Sequence, residues 1–377
     1  MAGADVQGRC DPAFRAVRDA FEENFAGGEE LGAAVAVYSG DDLVVDLWGG
    51  IADRHTGRAW RHDTPCVAFS CTKAVTAAAA LRLAERGEYE MDGPVTDWWP
   101  EFAAHGKEGT TAAHLLCHQA GLPVLDGPCT AELAADPRFV ADRLAAQPPR
   151  WAPGTTHGYH ALTYGWLAGE IVRRIGGSPV GDYVRAQFTS KLDLWIGAPD
   201  EVIDRAARLT ARRPGGAGPA LEPGDAPGKV LDLALRNPAT GRGGFNNPVV
   251  LRGGWPAAGM VATATALAGF YRDLLAGRII RPATLRAAVQ PRVRGPDRVL
   301  GVESAFGLGF MRPSSVFPVP PDARDGAFGH SGAGGSIGLG DVERGIAIAY
   351  IMNRLSDQFT GDLRGYRLVE AVYASLP

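Results

Sequence analysis

A serine and a lysine three residues apart form the first pair of side chains that could do chemistry. Ser70 and Lys73 open a stretch, residues 74–83, that is apolar except for Thr76 and Arg82. A helix that is apolar on nearly all sides is normally buried, and the spacing places both side chains on one face. Burial disfavours the ammonium form, so such a lysine could act as a base and activate the serine as a nucleophile. In the plainer alternative, Ser70 caps the helix and Lys73 is solvated.

The elements that must position this pair follow from hydrophobic periodicity at the two ends of the chain. An Asp-Pro pair at residue 11 predicts the start of an N-terminal helix. Residues 32–38 and 43–48 are β-rich runs that form a hairpin, and residues 345–352 have the pattern of a buried strand. Residues 363–374 are amphipathic and predict a terminal helix. We therefore expect an α+β fold in which an antiparallel sheet is flanked by N- and C-terminal helices.

The middle of the chain has mostly helical patterns that Gly and Pro interrupt. We predict an all-helical insert over residues 64–235 between two parts of one sheet domain, residues 1–63 and 236–377. The active site is expected between the two domains. The Gly/Pro-rich loop 213–228, with residues 245–255 after it, is our candidate for a substrate lid.

Three ordered segments carry a resemblance to a known enzyme family. They are the Ser70-x-x-Lys73 motif, the segment PGTTHGYHA around Tyr159, and the segment FGHSGAGG around His330. Their order and separations resemble serine β-lactamases of the AmpC type, D-alanyl-D-alanine peptidases and family VIII carboxylesterases over nearly the whole chain. The resemblance implies a β-lactamase/transpeptidase-like fold. Supporting matches are Tyr164 and the segments HLLCHQAGLP (residues 114–123) and FGLGF (residues 306–310).

The resemblance also implies a role for each matching residue. Ser70 would attack an acyl carbonyl to form an acyl-enzyme, and Lys73 and Tyr159 would share the proton that it loses. Which of these two is the general base stays open. The oxyanion would be held by the backbone N–H groups of Ser70 and Ala333. No cofactor and no metal are implied.

Three departures from the family pattern bear on the substrate. His330-Ser331-Gly332 occupies the place of the usual Lys-Thr-Gly, so the resemblance implies that Ser331 and Gly332 contact the substrate. A histidine anchors a substrate carboxylate less strongly than a lysine does. His330 would assist proton transfer or donate a hydrogen bond, or else merely brace the sheet edge. Ala161 replaces the Asn of the second motif, and Leu125 replaces an amide-binding glutamine. The loss of both amide contacts points away from penicillins and peptidoglycan peptides.

These departures favour an intracellular carboxylesterase that acts on small or moderately sized esters. The alternatives are an acyltransferase, a transacylase or a thioesterase of natural-product biosynthesis that uses the same acyl-enzyme. A β-lactamase, a D-Ala-D-Ala peptidase or a catalytically silent binding protein is less favoured. The partner would be a small-molecule ester, thioester or amide acyl donor, with an acceptor alcohol or amine in the transferase case. His157 and Trp255 are further candidates for substrate contact, although for His157 packing or solvent exposure is as common and large aromatics such as Trp255 are more often core residues.

Two other motif matches are weaker. Residues 334–338 fit G-x-S-x-G, the nucleophile elbow of α/β-hydrolases, but no histidine follows Ser336 in the chain as that fold requires. His114 and His118 have the spacing of a helical zinc pair, but no glutamate lies between them. We expect these two histidines to line a helix surface or to contact the backbone.

Composition and charge exclude several classes of protein. A chain of 377 residues that is 46% hydrophobic can bury a large core. A net charge of −4 argues against a nucleic-acid binder, and no apolar stretch is long enough to cross a membrane. The five cysteines are an odd number without a CxxC pair, and the N-terminus has no signal-peptide pattern. We therefore expect a cytoplasmic protein with free thiols, and the oligomeric state is left open.

Overall fold

The computed structural model describes residues 5–210, 227–357 and 362–377. The strands, in chain order, are β1 Gln7–Cys10, β2 Gly32–Ser39, β3 Asp42–Asp53, β4 Arg58–Ala59, β5 Cys66–Val67, β6 Leu194–Ile196, β7 Met260–Ala262, β8 Val293–Pro296, β9 Glu303–Phe306, β10 Ala327–Ser331, β11 Ile337–Asp341 and β12 Ile346–Met352. The helices are α1 Arg15–Ala26, α2 Thr72–Glu85, α3 Ala112–Leu116, α4 Ala131–Ala134, α5 Pro137–Ala146, α6 Thr163–Ile175, α7 Val180–Val184, α8 Asp200–Arg205, α9 Pro227–Arg236, α10 Pro248–Gly253, α11 Ala264–Leu275, α12 Pro282–Ala288 and α13 Leu363–Ala374.

A seven-stranded sheet joins the two ends of the chain. Its strand order is β1-β3-β2-β12-β11-β10, with β4 paired to β3, and every pairing is antiparallel. The central strand β12 pairs with β2 from the N-terminal part and with β11 from the C-terminal part. The predicted N-terminal hairpin, the predicted C-terminal strand and the shared antiparallel sheet are thereby confirmed.

Both faces of the sheet are covered by helices. Side chains alternate along β2, so that Val35 and Val37 face one hydrophobic cluster while Ala34 and Ala36 face another. The first cluster contains residues of α1 and α13, and the second contains residues of α11 and α2. The small alanines allow α11 to approach the sheet closely. The predicted N- and C-terminal flanking helices are confirmed on the first face.

Along the chain, the helical region lies between the N-terminal strands and the C-terminal strands of the main sheet. Helix α2 is buried over most of its length, as its apolar sequence predicts, and packs against α6. The range predicted to be all-helical also contains the short strands β5 and β6, which pair with β7 in a small second sheet. The domain boundaries remain a prediction. Most of the proposed lid loop, residues 213–226, lies outside the described residues, and residues 227–228 begin α9.

Candidate active site

Ser70 lies in one turn of 3-10 helix, Phe69–Cys71, directly before α2. Phe69 has φ of +46°, a left-handed conformation that is strained for a residue with a side chain. The turn is tied to the edge strand of the main sheet, because Cys71 Sγ donates a hydrogen bond to the carbonyl of His330 at 3.2 Å. Ser70 is therefore held at the junction of the helical region and strand β10.

Lys73 lies one turn into the same helical segment and is completely buried. Its Nζ is 3.1 Å from Ser70 Oγ, 2.8 Å from the carbonyl oxygen of Ala161 and 3.1 Å from that of Ala257. Within the described part of the chain, no carboxylate forms an ion pair with it. Burial holds the pKa of Lys73 well below its ordinary value of 10.5.

The contacts of Lys73 suit either an ammonium or a neutral amine, and the lowered pKa favours the amine. A neutral amine has two N–H donors and one lone pair, and the two carbonyl oxygens can only accept. The lone pair is then available to the hydroxyl proton of Ser70. The solvated-lysine alternative is excluded, and the side chain can act as a base.

Tyr159 completes a three-residue cluster with Ser70 and Lys73. Its phenol forms a hydrogen bond with the hydroxyl of Ser70, and Lys73 Nζ lies 4.8 Å from the centre of its ring. The ring of Phe306 is stacked on it at 6.1 Å with an interplanar angle of 15°. Burial raises the pKa of Tyr159 well above its ordinary value, so the resting residue is a neutral phenol.

His330 lies on β10 with its ring centre 5.9 Å from that of Tyr159. Its Nδ1 is 2.7 Å from the carbonyl of Ser331, which can only accept, so Nδ1 carries the proton. Burial, with Lys73 as a smaller influence, lowers the pKa of His330 to about 3. The ring is therefore neutral, and Nε2 is a buried lone pair that has no partner among the described residues.

The segment after β10 supplies the second predicted oxyanion donor. Gly332 passes so close to the 3-10 turn that a Cβ there would lie 2.5 Å from the carbonyl oxygen of Ala68. Its N–H donates to the carbonyl of Ser336 at 2.7 Å, which shapes the following turn. The N–H groups of Ser70 and Ala333 have no acceptor in residues 5–210, 227–357 and 362–377. Their role as the oxyanion hole stays a prediction.

Three other residues predicted to contact the substrate, Ala161, Leu125 and Ser331, make contacts within the protein itself. Ala161 contributes its carbonyl to Lys73 rather than its side chain to a substrate. Leu125 is buried in the hydrophobic core, and its carbonyl accepts from Asn237 at 2.7 Å. Ser331 Oγ donates weakly to the carbonyl of Val316 at 3.4 Å, so its hydroxyl is turned toward the segment before β10.

The substrate-wall prediction for Trp255 is corrected by its packing. Its side chain has no exposed surface, and its ring packs against Trp166 at 5.7 Å and Phe245 at 5.8 Å. Phe245 in turn packs on Phe69 at 5.0 Å, next to Ser70. In this structure Trp255 is thus a core residue, and through Phe245 it packs against the 3-10 turn that contains Ser70.

The paired histidines each accept a hydrogen bond from the backbone. His114 Nδ1 accepts from the N–H of Thr111 at 3.2 Å and caps α3, and His118 Nδ1 accepts from the N–H of His160 at 3.1 Å. Both histidines contact the backbone, as predicted. In the described ranges, no group of three or more His, Cys, Asp or Glu side chains is arranged to hold a metal ion.

Sequence reasoning missed three residues around Tyr159. Asp297 accepts a hydrogen bond from the backbone N–H of Tyr159, Ser304 bonds to Asp297, and the ring of His118 lies 5.0 Å from the tyrosine ring. In sequence, Asp297 follows a Gly-Pro pair and has the signature of an ordinary turn. His118 lies in a zinc-like pattern and in the segment 114–123 that supports the family resemblance, but neither signal places its ring against Tyr159.

Comparison with known proteins places the chain among serine hydrolases. A family model described as Beta-lactamase matches residues 17–373. Esterase/beta-lactamase LipL of Mycobacterium tuberculosis is 35% identical over 94% of this chain and 84% of its own length. A penicillin-binding protein homologue from Caulobacter crescentus has a TM-score of 0.90 at 40% identity, covering 99% of this chain and 100% of that one. A family VIII carboxylesterase has a TM-score of 0.89 at 34% identity, with the same coverage.

The relatives do not share one activity. An acyltransferase, calJ of Penicillium decumbens, is 27% identical over 75% of this chain and 68% of its own length.

Among the helices that the structure describes, none has the length and apolar character needed to cross a membrane.

Proposed function

Because the chain belongs to the β-lactamase family, we propose that it is a carboxylesterase that forms an acyl-enzyme at Ser70 with small or moderately sized esters. One observation carries the proposal: Lys73 Nζ, whose pKa is lowered by burial, lies 3.1 Å from Ser70 Oγ and within hydrogen-bond distance of two backbone carbonyls. A serine hydroxyl so placed has a base at hand, and the esterase relatives support ester cleavage.

The acylation step uses the three side chains in sequence. Lys73 Nζ takes the proton of Ser70 as Oγ bonds to the ester carbonyl carbon, and the N–H groups of Ser70 and Ala333 stabilise the oxyanion. When the C–O bond to the alcohol breaks, Tyr159 gives its proton to the leaving oxygen. The Lys73 ammonium then returns a proton to Tyr159. Lys73 is the general base here because its lowered pKa favours the free amine, whereas burial raises the pKa of the phenol and keeps it protonated.

Deacylation reverses these transfers with water as the nucleophile. The water that replaces the alcohol gives a proton to the phenol oxygen of Tyr159 while the phenol proton passes to Lys73, and the Lys73 ammonium then supplies the proton that Ser70 Oγ needs. The hydroxyl of Ser70 recovers its proton as the acid product leaves. No cofactor takes part in this scheme.

The surroundings of the cluster support esters over carboxylate-bearing substrates. His330, in the place of the family's lysine, is neutral and presents a lone pair rather than a cation. A lone pair repels a carboxylate, which a penicillin or a peptide C-terminus would bring to this position. Ala161 and Leu125 offer no side-chain hydrogen bond to a substrate amide. A β-lactamase or D-Ala-D-Ala peptidase role is therefore less favoured.

Acyl transfer to an alcohol or amine is the second candidate function. The reacting cluster is poorly exposed, with 7% of Ser70 and 1% of Tyr159 accessible. Restricted access disfavours water relative to an acceptor that binds in its place. The acyltransferase relative supports the same alternative, and a thioesterase would use the same intermediate. A silent binding protein is disfavoured because the three side chains remain in mutual contact.

A cytoplasmic location is part of the proposal. All five cysteines are free in the structure, and four of them are buried. Unpaired buried thiols are typical of reducing compartments. Cell fractionation with the native gene product tests this point, and recovery from the extracellular or periplasmic fraction would contradict it.

Intact-mass spectrometry tests the main proposal. The protein is exposed briefly to p-nitrophenyl acetate and butyrate while nitrophenol release is followed, beside Ser70→Ala, Lys73→Ala and Tyr159→Phe. We expect turnover and an acyl adduct that Ser70→Ala abolishes. Added alcohols and amines that raise the rate of nitrophenol release and appear in the product would favour acyl transfer. Failure of Ser70 to react with either ester and with a fluorophosphonate would reject the enzyme in favour of a binding protein.

A further inference from the structure

The backbone of Tyr159 is held by a buried carboxylate outside the three motifs. Asp297 directly follows β8 and is only 2% exposed. Its Oδ1 accepts from the N–H of Tyr159 at 3.0 Å and from the N–H groups of Val299 at 2.8 Å and Leu300 at 2.9 Å. One oxygen atom thus joins the tyrosine segment to the loop between β8 and β9.

The second oxygen of Asp297 extends the network. Oδ2 accepts from Ser304 Oγ at 2.9 Å, and Ser304 Oγ is 2.9 Å from His157 Nε2. Because the single hydroxyl proton of Ser304 is directed to the carboxylate, His157 Nε2 must carry a proton and donate it to Oγ. A catalytic triad would place the imidazole in the middle. Here the hydroxyl is in the middle, so Ser304 is a structural link and not a second nucleophile.

The network reaches Tyr159 from two sides. Asp297 fixes its backbone, while the ring of His157 meets the ring of Phe306 edge-on at 6.2 Å and Phe306 stacks on the phenol. Within the described part of the chain, no arginine or lysine forms an ion pair with Asp297. Its two oxygens accept hydrogen bonds from three backbone N–H groups and one hydroxyl. After burial and the opposing bond from Ser70, the negative charge of Asp297 is a further influence that raises the pKa of Tyr159.

We propose that Asp297 is a positioning residue for Tyr159, and that with Ser304 and His157 it holds the phenol where the proton of the leaving alcohol must be delivered. The inference rests on the proposed function, in which Tyr159 protonates the leaving group. Asp297 acts only through Tyr159, since it contacts neither Ser70 nor Lys73.

The test compares Asp297→Ala and Asp297→Asn, each alone and combined with Tyr159→Phe, in the hydrolysis of p-nitrophenyl butyrate. A catalytic group displaced by about 1 Å loses on the order of 100-fold in rate, so we expect Asp297→Ala to lower kcat by about that factor with little change in KM. Asp297→Asn keeps an acceptor at Oδ1 and should recover much of the loss. On the Tyr159→Phe background neither substitution should lower kcat further, because the two residues act as one unit.

Asp341 provides a matched control. It is equally buried at 1% exposure, with Oδ1 bound to two backbone N–H groups, of Glu343 and Arg344, and Oδ2 bound to the hydroxyl of Tyr373. It lies at the end of β11 remote from His330, since it pairs with the first residue of β10. Asp341→Ala should lower the melting temperature as Asp297→Ala does while leaving kcat near the wild-type value.

Two outcomes would overturn the inference. The first is a kcat of Asp297→Ala equal to that of the wild type. The second is a reduction in kcat by Asp297→Ala that is as large on the Tyr159→Phe background as on the wild type, which indicates a general effect on folding. If Asp297→Ala does not fold, Ser304→Ala takes its place with a smaller expected loss in kcat. A wild-type protein inert to all esters would reject the esterase function separately. In that case, the Asp297 variants and the wild type are compared by the rate at which a fluorophosphonate labels Ser70. Absence of labelling in the wild type rejects both the esterase function and the positioning role of Asp297.

Discussion

Glu30 and Arg364 form an ion pair of 3.0 Å in which both side chains are at most 5% exposed. Arg364 also donates to a carboxylate oxygen of Asp362 at 2.9 Å and to the carbonyl of Gly334 at 2.9 Å. Gly334 directly follows Ala333, the second predicted oxyanion donor. The buried pair therefore braces the segment after β10 from the side of the sheet opposite to Ser70.

Removal of this arginine should destabilise the fold and weaken acylation together. Arg364→Met leaves two buried carboxylates without a cation, which costs about 3–5 kcal/mol in the free energy of unfolding. We expect urea denaturation to show this loss and kcat/KM to fall. Arg367 pairs with Glu29 on the surface at 2.6 Å, and Arg367→Met should cost less than about 1 kcal/mol. Equal losses in the two variants would contradict the bracing role of Arg364.

Gly309 is required by the close contact between the β9–β10 segment and α2. A Cβ at Gly309, where φ is +82°, would lie 2.2 Å from Ala77 Cβ and 2.7 Å from Tyr164 Oη. We expect Gly309→Ala to lose about 2–5 kcal/mol in unfolding free energy, from overpacking and the left-handed backbone. Gly57 has a similar φ of +74° with open space around it, so Gly57→Ala should cost only about 1–2 kcal/mol. Ala77→Gly should partly restore Gly309→Ala, and no restoration would argue against the contact.

The buried histidines make stability sensitive to acid. Burial lowers the pKa of both His160 and His330 from 6.5 to about 3, so the unfolded chain binds their protons more readily than the folded one. Stability is then complete above pH 6.5 and falls as the pH drops towards 3, by up to about 1.4 kcal/mol per pH unit for each histidine. Urea unfolding between pH 7.5 and 5 measures the slope. His330→Gln should reduce the slope of unfolding free energy against pH by about one proton, whereas His62→Gln at an exposed position should leave it unchanged. Equal slopes in the wild type and both variants would show that the buried histidine is not the cause.

Lys73 should be irreplaceable by a permanent cation. Arginine cannot give up its proton under these conditions, so Lys73→Arg should lower kcat/KM by about 10²–10⁴-fold, as loss of a general base does. In the wild type, kcat/KM should fall as the pH decreases through the lowered pKa of Lys73, because only the free amine can accept the proton of Ser70. A pH–rate profile of ester hydrolysis measures both effects. Substantial activity in Lys73→Arg would transfer the base role to Tyr159.

The sequence predicted those parts of the fold and site that depend on local pattern. Helix α2 was predictable because its apolar run identifies a buried helix, and Ser70 and Lys73 meet because three residues make nearly one turn. Strands β5 and β6 were missed because two or three residues are too few to show a period. Trp255 was named as a possible pocket wall because a large aromatic after a Gly-rich segment suits one, although large aromatics are more often core residues.

The residues that act through tertiary contacts gave no such signal. Asp297 lies 138 positions from Tyr159 in the chain, and nothing in its turn sequence says which backbone N–H it will meet. The tautomer of His330 was equally hidden, because it depends on the direction of one carbonyl on the edge strand. Contacts of this kind become visible only when the loops have been placed.

Burial favours the uncharged form of all three groups nearest the reacting atoms, because it lowers the pKa of Lys73 and His330 and raises that of Tyr159. Dissolved salt screens interactions between charges, so it has little effect on a cluster in which the uncharged forms are favoured. The catalytic step should therefore be nearly indifferent to ionic strength. Substrates would be selected by shape and by the reactivity of the ester bond rather than by electrostatic attraction, which suits a catalyst for neutral molecules.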